Sequence, residues 1–484
     1  MSLKDKTISG LLWSAIDSFA NQGIQFVIGI ILARLITPRE FGLIGMISIF
    51  IAISQTFINS GFSSALIRKK DCSQADYSTV FYYNMAMGFF LYLILFISAG
   101  AISNFFNEPE LKWLVRATGL NLIIGSLTLV QGTTLTKRID FKLLTKIAII
   151  TSLLSGIIGI VMAFAGFGVW SLVARTLAGS FLTSLFLWLW NRWRPSAVFS
   201  IKSFKELFGF GSKLLISGMI DTTYNNIYYL IIGKYFAANE LGYYTRAKTF
   251  NDLPSKSLNS IMSRVTYPVL AHLQDNRTQL KAAYKKMIKN IMFISLVLMV
   301  GLAVVSEPMI ITLIGEKWRP SVIYLQLLCF PAMMYPLQAL NLNMLNVLGR
   351  SDLFLKLEII KKIFAVPVII IGIVWGIKVM ILGMWANSIL AYYLNSYYSG
   401  KFIGYPMREQ ITDILPTLLL ALLMGTVVLT AGIFLPLGYL WKLFFQIVLG
   451  ASIVVGMSEI LKFDSYMEIK HILRTKLFRL NDAQ

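Results

Sequence analysis

The sequence predicts an all-α polytopic membrane protein of about fourteen transmembrane helices, and three observations support this prediction. Apolar residues make up 56% of the 484 residues, whereas charged residues make up only 14%. Between Gly10 and Lys462, fourteen apolar stretches each reach the length of about 20 residues that a helix needs to cross a bilayer. The gaps between these stretches leave no room for a water-soluble domain of ordinary size.

The predicted spans form a group of six, a second group of six and a final pair. In chain order they cover residues 11–35, 42–66, 80–102, 113–135, 145–167, 169–191, 212–233, 249–271, 291–314, 323–345, 359–378, 380–400, 412–434 and 437–461. The eighth span is the least apolar, because it contains several serines together with Lys256, Asn259 and Arg264. It is expected to cross only if much of it lines an aqueous cavity.

The basic residues predict the orientation of the chain. Thirty of the 44 Lys and Arg residues lie in segments that the alternation of spans places on one side of the membrane. Lys and Arg in short loops are retained on the cytoplasmic side, so both termini are predicted to be cytoplasmic. The net charge of +21 is therefore expected to face anionic headgroups, and binding of nucleic acid is not expected.

An internal repeat relates the first six spans to the next six. Residues 30–67 align with residues 230–267 at a constant offset of 200 and share seven identities in 38 positions. The identical pairs are Ile31/Ile231, Glu40/Glu240, Gly42/Gly242, Phe50/Phe250, Asn59/Asn259, Ser60/Ser260 and Ser63/Ser263. Six spans return the chain to the side where it began, so the copies should be related by an axis along the membrane normal. The sequence thus predicts an N-terminal six-helix lobe over 1–200, a C-terminal six-helix lobe over 201–405, and two additional helices with a basic tail over 406–484.

One face of the first span is polar. Asp17, Asn21 and Gln25 recur at four-residue spacing, and the seventh span has Asp221 and Asn225 at corresponding positions. Such groups are costly against lipid and are expected to face the bundle interior or water. The alternative for single amides and hydroxyls is that they join helices, at about 0.6 kcal/mol each. The two carboxylates are candidate sites for a coupling proton or sodium ion.

The other ionisable residues of the predicted membrane region are mainly cationic. The candidate substrate-binding residues of the cavity are Arg34, Arg175, Lys234, Lys256, Asn259 and Arg264. An excess of cations creates a field that attracts anions, and arginine can bind phosphate oxygens with two parallel hydrogen bonds. For Arg34 and Lys234, extension of the side chain to the membrane interface is an equally consistent interpretation.

Several classes of protein are disfavoured by what the sequence lacks. It has no G-x-x-x-x-G-K-[ST] motif for nucleotide phosphates. Its two histidines, His272 and His471, lie at predicted cytoplasmic edges, which disfavours a histidine-based metal site or acyltransferase. The sequence therefore predicts a carrier and not an enzyme, with no cofactor and no metal site.

Three regions of the sequence, each made of two short segments, resemble the Wzx-type polysaccharide flippases of the multidrug/oligosaccharidyl-lipid/polysaccharide (MOP) superfamily. They are Met1-Ser2-Leu3-Lys4-Asp5-Lys6-Thr7 with Trp13-Ser14, Leu32-Ala33-Arg34-Leu35 with Phe41-Gly42-Leu43, and Gly315-Glu316-Lys317-Trp318 with Leu325-Gln326-Leu327-Leu328-Cys329. The branch they are most similar to is that of the colanic-acid flippase WzxC and the teichuronic-acid exporter. The resemblance extends from Met1 to about the end of the fourteenth span.

This resemblance implies a fold and a function. It implies two six-helix lobes that open alternately to either side of the bacterial inner membrane. It implies that an undecaprenyl-pyrophosphate-linked oligosaccharide moves from the cytoplasmic to the outer leaflet, for O-antigen, capsule or exopolysaccharide synthesis. It favours Arg34 and Arg264 as basic residues of the cavity. The expected partners are this substrate, membrane lipids and the polysaccharide polymerase machinery, and the expected oligomeric state is a monomer.

Two other functions stay open at this point. A multidrug or cation antiporter of the same superfamily would use carboxylates and aromatic residues in its cavity, whereas cations predominate here. A membrane polysaccharide polymerase is a less favoured alternative. It would need catalytic groups on a large extracytoplasmic loop, and the predicted outer loops are short.

Overall fold

The computed structural model describes residues 3–59 and 61–471, and over these residues it consists of helices and short connections without any strand. The side chains of residues 3–12, 14–16, 18, 256–257, 259–265, 267–268 and 351 lie outside the described part of the chain. The α-helices are α1 Leu3–Leu35, α2 Pro38–Asn59, α3 Phe62–Arg68, α4 Gln74–Phe106, α5 Leu111–Ser126, α6 Leu129–Lys137, α7 Phe141–Phe164, α8 Val169–Trp190, α9 Ile201–Tyr235, α10 Ala238–His272, α11 Arg277–Ile314, α12 Ser321–Val347, α13 Ser351–Trp375, α14 Ile377–Ile403, α15 Met407–Phe434 and α16 Tyr439–Ile460. The prediction of an all-α membrane protein is confirmed.

Each predicted span coincides with one helix or with two consecutive helices. Within the described ranges, ten helical runs are long and apolar enough to cross a membrane by themselves. The four helices α1, α9, α10 and α13 are not among these ten, and α1 contributes only the shorter apolar stretch Phe19–Leu35. Three of them, α1, α9 and α10, contain most of the polar and charged residues from which the sequence predicts an aqueous path.

Two of the predicted spans are divided. The second becomes α2 and α3, which meet at Gly61 in the left-handed conformation with φ of 68°. A Cβ atom on this residue would lie 2.7 Å from the carbonyl oxygen of Gly211 in α9, so both the conformation and the space require glycine. The fourth span becomes α5 and α6, which are separated at Leu127 and Thr128.

The chain forms two compact units, Met1–Thr245 and Arg246–Gln484. In the first unit α7 packs against α1 and α8, and α4 packs against α5. Helix α9 belongs to this unit because it packs against α2, α3 and α4. One apolar cluster of the unit includes the buried side chains of Phe62, Leu66, Phe81, Trp193 and Leu207. The lobe boundaries at residues 200 and 405 come from the sequence repeat and stay a prediction.

A reciprocal close contact joins two segments that the sequence repeat pairs. A Cβ atom on Gly42 in α2 would lie 1.8 Å from the carbonyl oxygen of Ala238. A Cβ atom on Gly242 in α10 would lie 1.9 Å from the carbonyl oxygen of Pro38. Residues 38 and 238 are themselves repeat partners at the offset of 200. The first turns of α2 and α10 therefore approach each other with local two-fold symmetry, and glycine at both positions permits the contact.

In the second unit α11 packs against α12, α15 and α16, while α14 packs against α12 and α13. Lys281 and Lys285 of α11 form ion pairs of 2.8 and 3.3 Å with Glu409 in α15. Lys289 forms an ion pair of 2.8 Å with Asp464, beyond the end of α16, and the ammonium group lowers the pKa of that carboxyl group. The two additional helices are thus attached to α11 by packing and by ion pairs.

We expect Gly42→Ala and Gly242→Ala each to lower the thermal stability of the protein. The added methyl group would overlap a backbone carbonyl oxygen, and backbone cannot move aside as a flexible side chain can. Gly100→Ala in α4 is the matched control, since a Cβ atom there meets nothing within 4 Å. The control should be neutral or stabilising by roughly 0.5–1 kcal/mol. The measurement is thermal unfolding of the purified protein in detergent, and equal midpoints for all three variants would contradict the close contact.

Candidate functional site

Three helices of the first unit bring together polar residues that are distant in sequence. Ser152 of α7 donates a hydrogen bond from its hydroxyl to Asn21 Oδ1 of α1, at 2.7 Å. Gln25 Nε2, one turn further along α1, donates to Ser152 Oγ at 3.1 Å. Arg175 of α8 donates from Nη2 to Gln25 Oε1. Three of the predicted cavity residues, Asn21, Gln25 and Arg175, therefore belong to one network, which we call the α1–α7–α8 network.

Small residues of α7 allow its neighbours to approach. A Cβ atom on Gly156 would lie 2.1 Å from the side chain of Ile28 in α1, and one on Gly159 would lie 2.9 Å from Arg175 Cβ in α8. At one end of α7, Thr145 Oγ1 donates to the carbonyl oxygen of Trp13 at 3.1 Å. Such small residues and interhelical hydrogen bonds are typical of helix packing in membranes. They hold the polar face of α1 against α7 and α8.

The Arg175 guanidinium group is hydrogen-bonded to an amide and not to an acid. Its recorded hydrogen-bond partner is Gln25, and no ion pair involves it within the described ranges. An amide oxygen satisfies one donor of the guanidinium group but does not neutralise its charge. The positive charge at this point of the network is therefore available to attract an anion.

Asp17 lies one turn before Asn21 on the same side of α1 and is partly buried. Its Oδ1 atom is buried and has no hydrogen-bond partner among the described residues. A buried acceptor without a donor is rare in proteins and requires an explanation, such as binding of a proton or an ion. This environment is compatible with the predicted coupling role.

Asp221 and Asn225 lie on an exposed face of α9. The adjacent Thr222 is directed toward α2, because its Oγ1 atom lies 3.0 Å from Thr56 Oγ1 of that helix. Asp221 and Asn225 thus lie on an exposed polar face of the seventh span, and the place of this face in the cavity stays a prediction. The structure does not bring Asn225 into the α1–α7–α8 network.

Arg34 and Lys234 occupy the last turns of α1 and α9. Arg34 is exposed, whereas Lys234 is half-buried and donates from Nζ to the carbonyl oxygen of Phe105 at 2.5 Å. The Lys234 ammonium group also lies 4.6 Å from the centre of the Phe105 ring. These contacts agree with an interfacial position for Lys234. Its predicted role in substrate binding stays a prediction.

Three predicted site residues of α10, Lys256, Asn259 and Arg264, have side chains outside the described part of the chain. Nearby, Lys248 of the same helix forms an ion pair of 3.4 Å with Asp252. Among the residues that are described, no group of three or more His, Cys, Asp and Glu side chains could hold a metal ion.

Sequence reasoning did not identify Ser152 as part of the site. A single serine in an apolar span is usually an isolated interhelical hydrogen bond. Only the packing of α7 against α1 shows that Ser152 connects two amides of the polar face. Its spacing from Gly156 and Gly159 on α7 is a signal that could have suggested this contact.

The helical fold, with a polar face held inside a bundle of apolar helices, defines a multi-pass membrane transporter. The chain belongs to the Polysaccharide biosynthesis protein family, whose model matches residues 31–323.

Individual relatives match over most of their lengths. The chain is 29% identical over 357 residues to the Teichuronic acid biosynthesis protein TuaB of Bacillus subtilis (strain 168), covering 73% of each chain. It is 27% identical over 447 residues to the Lipopolysaccharide biosynthesis protein WzxC of Escherichia coli (strain K12), covering 88% of this chain and 89% of the relative. The resemblance to Wzx-type proteins is confirmed.

The fold also matches a solved structure. The lipid II flippase MurJ in an inward closed conformation superposes with a TM-score of 0.76 at 17% sequence identity. The match covers 94% of this chain and 99% of MurJ. At this identity the match shows that the two proteins share the fold.

We expect Gln25 and Arg175 to stabilise the protein as a coupled pair. In a double-mutant cycle with Gln25→Ala and Arg175→Ala, the coupling free energy should fall between about 0.6 and 1.7 kcal/mol, as for other interhelical pairs in membranes. The measurement is reversible unfolding of the purified protein in mixed micelles. Arg175→Ala combined with Asn225→Ala is the control, and it should be additive because Asn225 lies outside the network. Additivity in both cycles would show that the Gln25–Arg175 hydrogen bond contributes nothing.

Proposed function

We propose that this protein is a flippase that moves an undecaprenyl-pyrophosphate-linked oligosaccharide repeat unit to the outer leaflet of the bacterial inner membrane. The repeat unit is then used to build a surface or secreted polysaccharide. The observation that carries this proposal is membership of the Polysaccharide biosynthesis protein family over residues 31–323, with relatives aligned over most of their length. The MurJ fold supports it, because MurJ is itself described as a lipid II flippase.

The charge of the polar residues fits this substrate. A pyrophosphate group carries negative charge at neutral pH and requires cationic donors, which Arg34 and Arg175 supply in the first unit. The amides of Asn21 and Gln25 add neutral hydrogen-bonding groups beside Arg175. We infer that the substrate headgroup moves along this polar face while the polyprenyl chain stays in lipid. The chain is proposed to act as a monomeric carrier without a chemical step of its own.

The membrane potential would favour this direction of transport. Moving one elementary charge across the membrane is worth about 2.3 kcal/mol per 100 mV, so two phosphate charges leaving a negative interior gain about twice that amount. The distribution of basic residues supports cytoplasmic termini, as proposed from the sequence. In this orientation the polysaccharide polymerase machinery would receive the product at the outer leaflet.

The antiporter alternative is less well supported by the described residues. A carrier of organic cations would be expected to place carboxylates where the α1–α7–α8 network has Arg175 and amides. Asp17 is the one carboxylate close to the network in the sequence of α1, and it lies a turn before Asn21. Export of cationic dyes by cells that express the protein would favour the antiporter.

We expect substitution of Arg34 or Arg264 to impair transport to an extent that depends on the charge and the hydrogen-bonding geometry of the new side chain. Arg34→Ala and Arg264→Ala should lower export at least about tenfold, which corresponds to roughly 1.4 kcal/mol of lost interaction. Lysine should restore part of the activity, because it keeps the charge but loses the planar donor pair. Glutamate should be worse than alanine, because it places a negative charge beside the phosphates. The measurement is complementation of polysaccharide export in a strain that lacks the protein, at matched protein abundance.

Arg39→Ala is the matched control for this series. Arg39 lies five residues beyond Arg34, but its guanidinium group is already paired with Glu108 at 2.5 Å and Glu110 at 2.9 Å. Its charge is therefore not available to a phosphate, and export should stay close to normal. Normal export in all variants of Arg34 and Arg264 would contradict the proposed anion site.

We propose that Asp17 or Asp221 binds the coupling ion if transport depends on a proton or sodium gradient. Asp17→Asn or Asp221→Asn should then remove the dependence of transport on pH or sodium without changing the abundance of the protein. Asp252→Asn is the control, since Lys248 already neutralises that carboxylate. Unchanged ion dependence in both variants would leave the two carboxylates as structural groups. The readout is uptake of fluorescently labelled lipid-linked saccharide in proteoliposomes with imposed gradients.

A further inference from the structure

A second polar region of the first unit lies apart from the α1–α7–α8 network. It is an open cavity of about 540 Å³ lined by residues of α2, α5 and α8. This volume is within the range of pockets that bind small molecules, roughly 300–1,000 Å³. No cationic residue is among those that line it.

The lining of this cavity is mainly apolar, with several polar side chains and no charged one. Several of its hydroxyl groups have their protons engaged within their own helices. Thr118 donates to the carbonyl oxygen of Leu114 at 2.6 Å, and Thr128 donates to that of Gly125 at 2.7 Å. The oxygens of these hydroxyl groups therefore remain available as acceptors at the cavity wall.

Four other lining residues, Gln55, Asn121, Ser180 and Thr183, have side-chain amide or hydroxyl groups. Of these, Asn121 Oδ1 is buried and has no hydrogen-bond partner in the described part of the chain. Leaving a buried polar group unsatisfied costs about 1–3 kcal/mol, so Asn121 Oδ1 is expected to have a partner that is not part of the protein. Two amides and two hydroxyls can both donate and accept.

The chemistry of the wall selects a class of ligand. Neutral donors and acceptors suit a neutral polyhydroxylated molecule, and Ile47, Ile51 and Leu172 provide apolar surface for its C–H groups. A charged ligand is disfavoured, because no side chain of opposite charge lines the cavity to offset its desolvation. Consecutive residues of α8 separate the two regions: Arg175 contacts Gln25 of α1, whereas Thr176 lines the cavity.

We propose that this cavity is a saccharide-binding site that holds sugar residues of the substrate, separate from the cationic residues that bind its pyrophosphate. The proposal rests on the function proposed above and specifies which part of the substrate this cavity recognises. Selectivity for the repeat unit then depends on α2, α5 and α8. Attraction of the anionic headgroup depends on the arginines.

The test uses two probes that represent the two parts of the substrate. One is the oligosaccharide repeat unit released by mild acid from the lipid-linked intermediates of cells that encode the protein. The other is inorganic pyrophosphate. Binding of each probe to the purified full-length protein is measured by titration calorimetry. The variants are Gln55→Leu and Asn121→Leu, which change each side chain to an apolar one of similar size.

We expect the two leucine variants to bind the oligosaccharide at least tenfold more weakly and to bind pyrophosphate as the unchanged protein does. Arg34→Ala should weaken the binding of pyrophosphate and leave the binding of the oligosaccharide unchanged. The matched control is Asn104→Leu, which replaces an exposed amide near the end of α4 and should affect neither probe. Normal oligosaccharide binding by both leucine variants would overturn the proposal.

Further outcomes separate this proposal from the proposed function. A leucine variant that misfolds would lose binding of both probes. In that case the combined variant Ser180→Ala and Thr183→Val is used, because these changes keep the shape of the wall. Normal oligosaccharide binding by the combined variant would refute the saccharide site. If the unchanged protein binds pyrophosphate but not the oligosaccharide, the saccharide site is refuted while the flippase proposal stands. If the unchanged protein cannot restore polysaccharide export to the deletion strain, the flippase proposal fails.

Discussion

The constraint on which this structure depends is that polar groups within a bilayer must find partners inside the protein. Water is absent from the hydrocarbon core, so the backbone can cross it only as helices or as a closed barrel. The same constraint acts on side chains, and it explains why Ser152 joins Asn21 to Gln25 and why Arg175 donates to Gln25. The polar face of α1 is tolerated because α7 and α8 cover it.

Close helix packing makes these contacts possible, and glycine residues determine where it occurs. Gly156 and Gly159 let α7 approach α1 and α8, so that short amide and hydroxyl side chains can meet. Gly42 and Gly242 do the same for the first turns of α2 and α10, where each residue approaches the backbone of the other helix. Because these two positions are repeat partners, the contact provides a structural reason for an identity that the sequence alignment shows.

The two polar regions of the first unit differ in charge, and the difference suggests different tasks. The α1–α7–α8 network contains an arginine whose recorded partner is an amide, so it favours anions. The cavity between α2, α5 and α8 contains only neutral polar and apolar groups, so it favours a neutral ligand. A lipid-linked oligosaccharide has an anionic pyrophosphate and a largely hydroxylated saccharide. One substrate of this kind would use both regions.

The sequence by itself determined the helical class, the position of each span, the repeat and the residues of the polar face. It could do so because hydrophobic length and helical periodicity are local properties, and Asp17, Asn21 and Gln25 follow one such period. Only the tertiary structure decided that Arg175 contacts Gln25, that Lys234 contacts Phe105 at the end of α4, and that Gln55 and Asn121 share a cavity. These contacts join helices that are far apart along the chain, and their choice depends on which helix faces pack together. No local pattern encodes that choice.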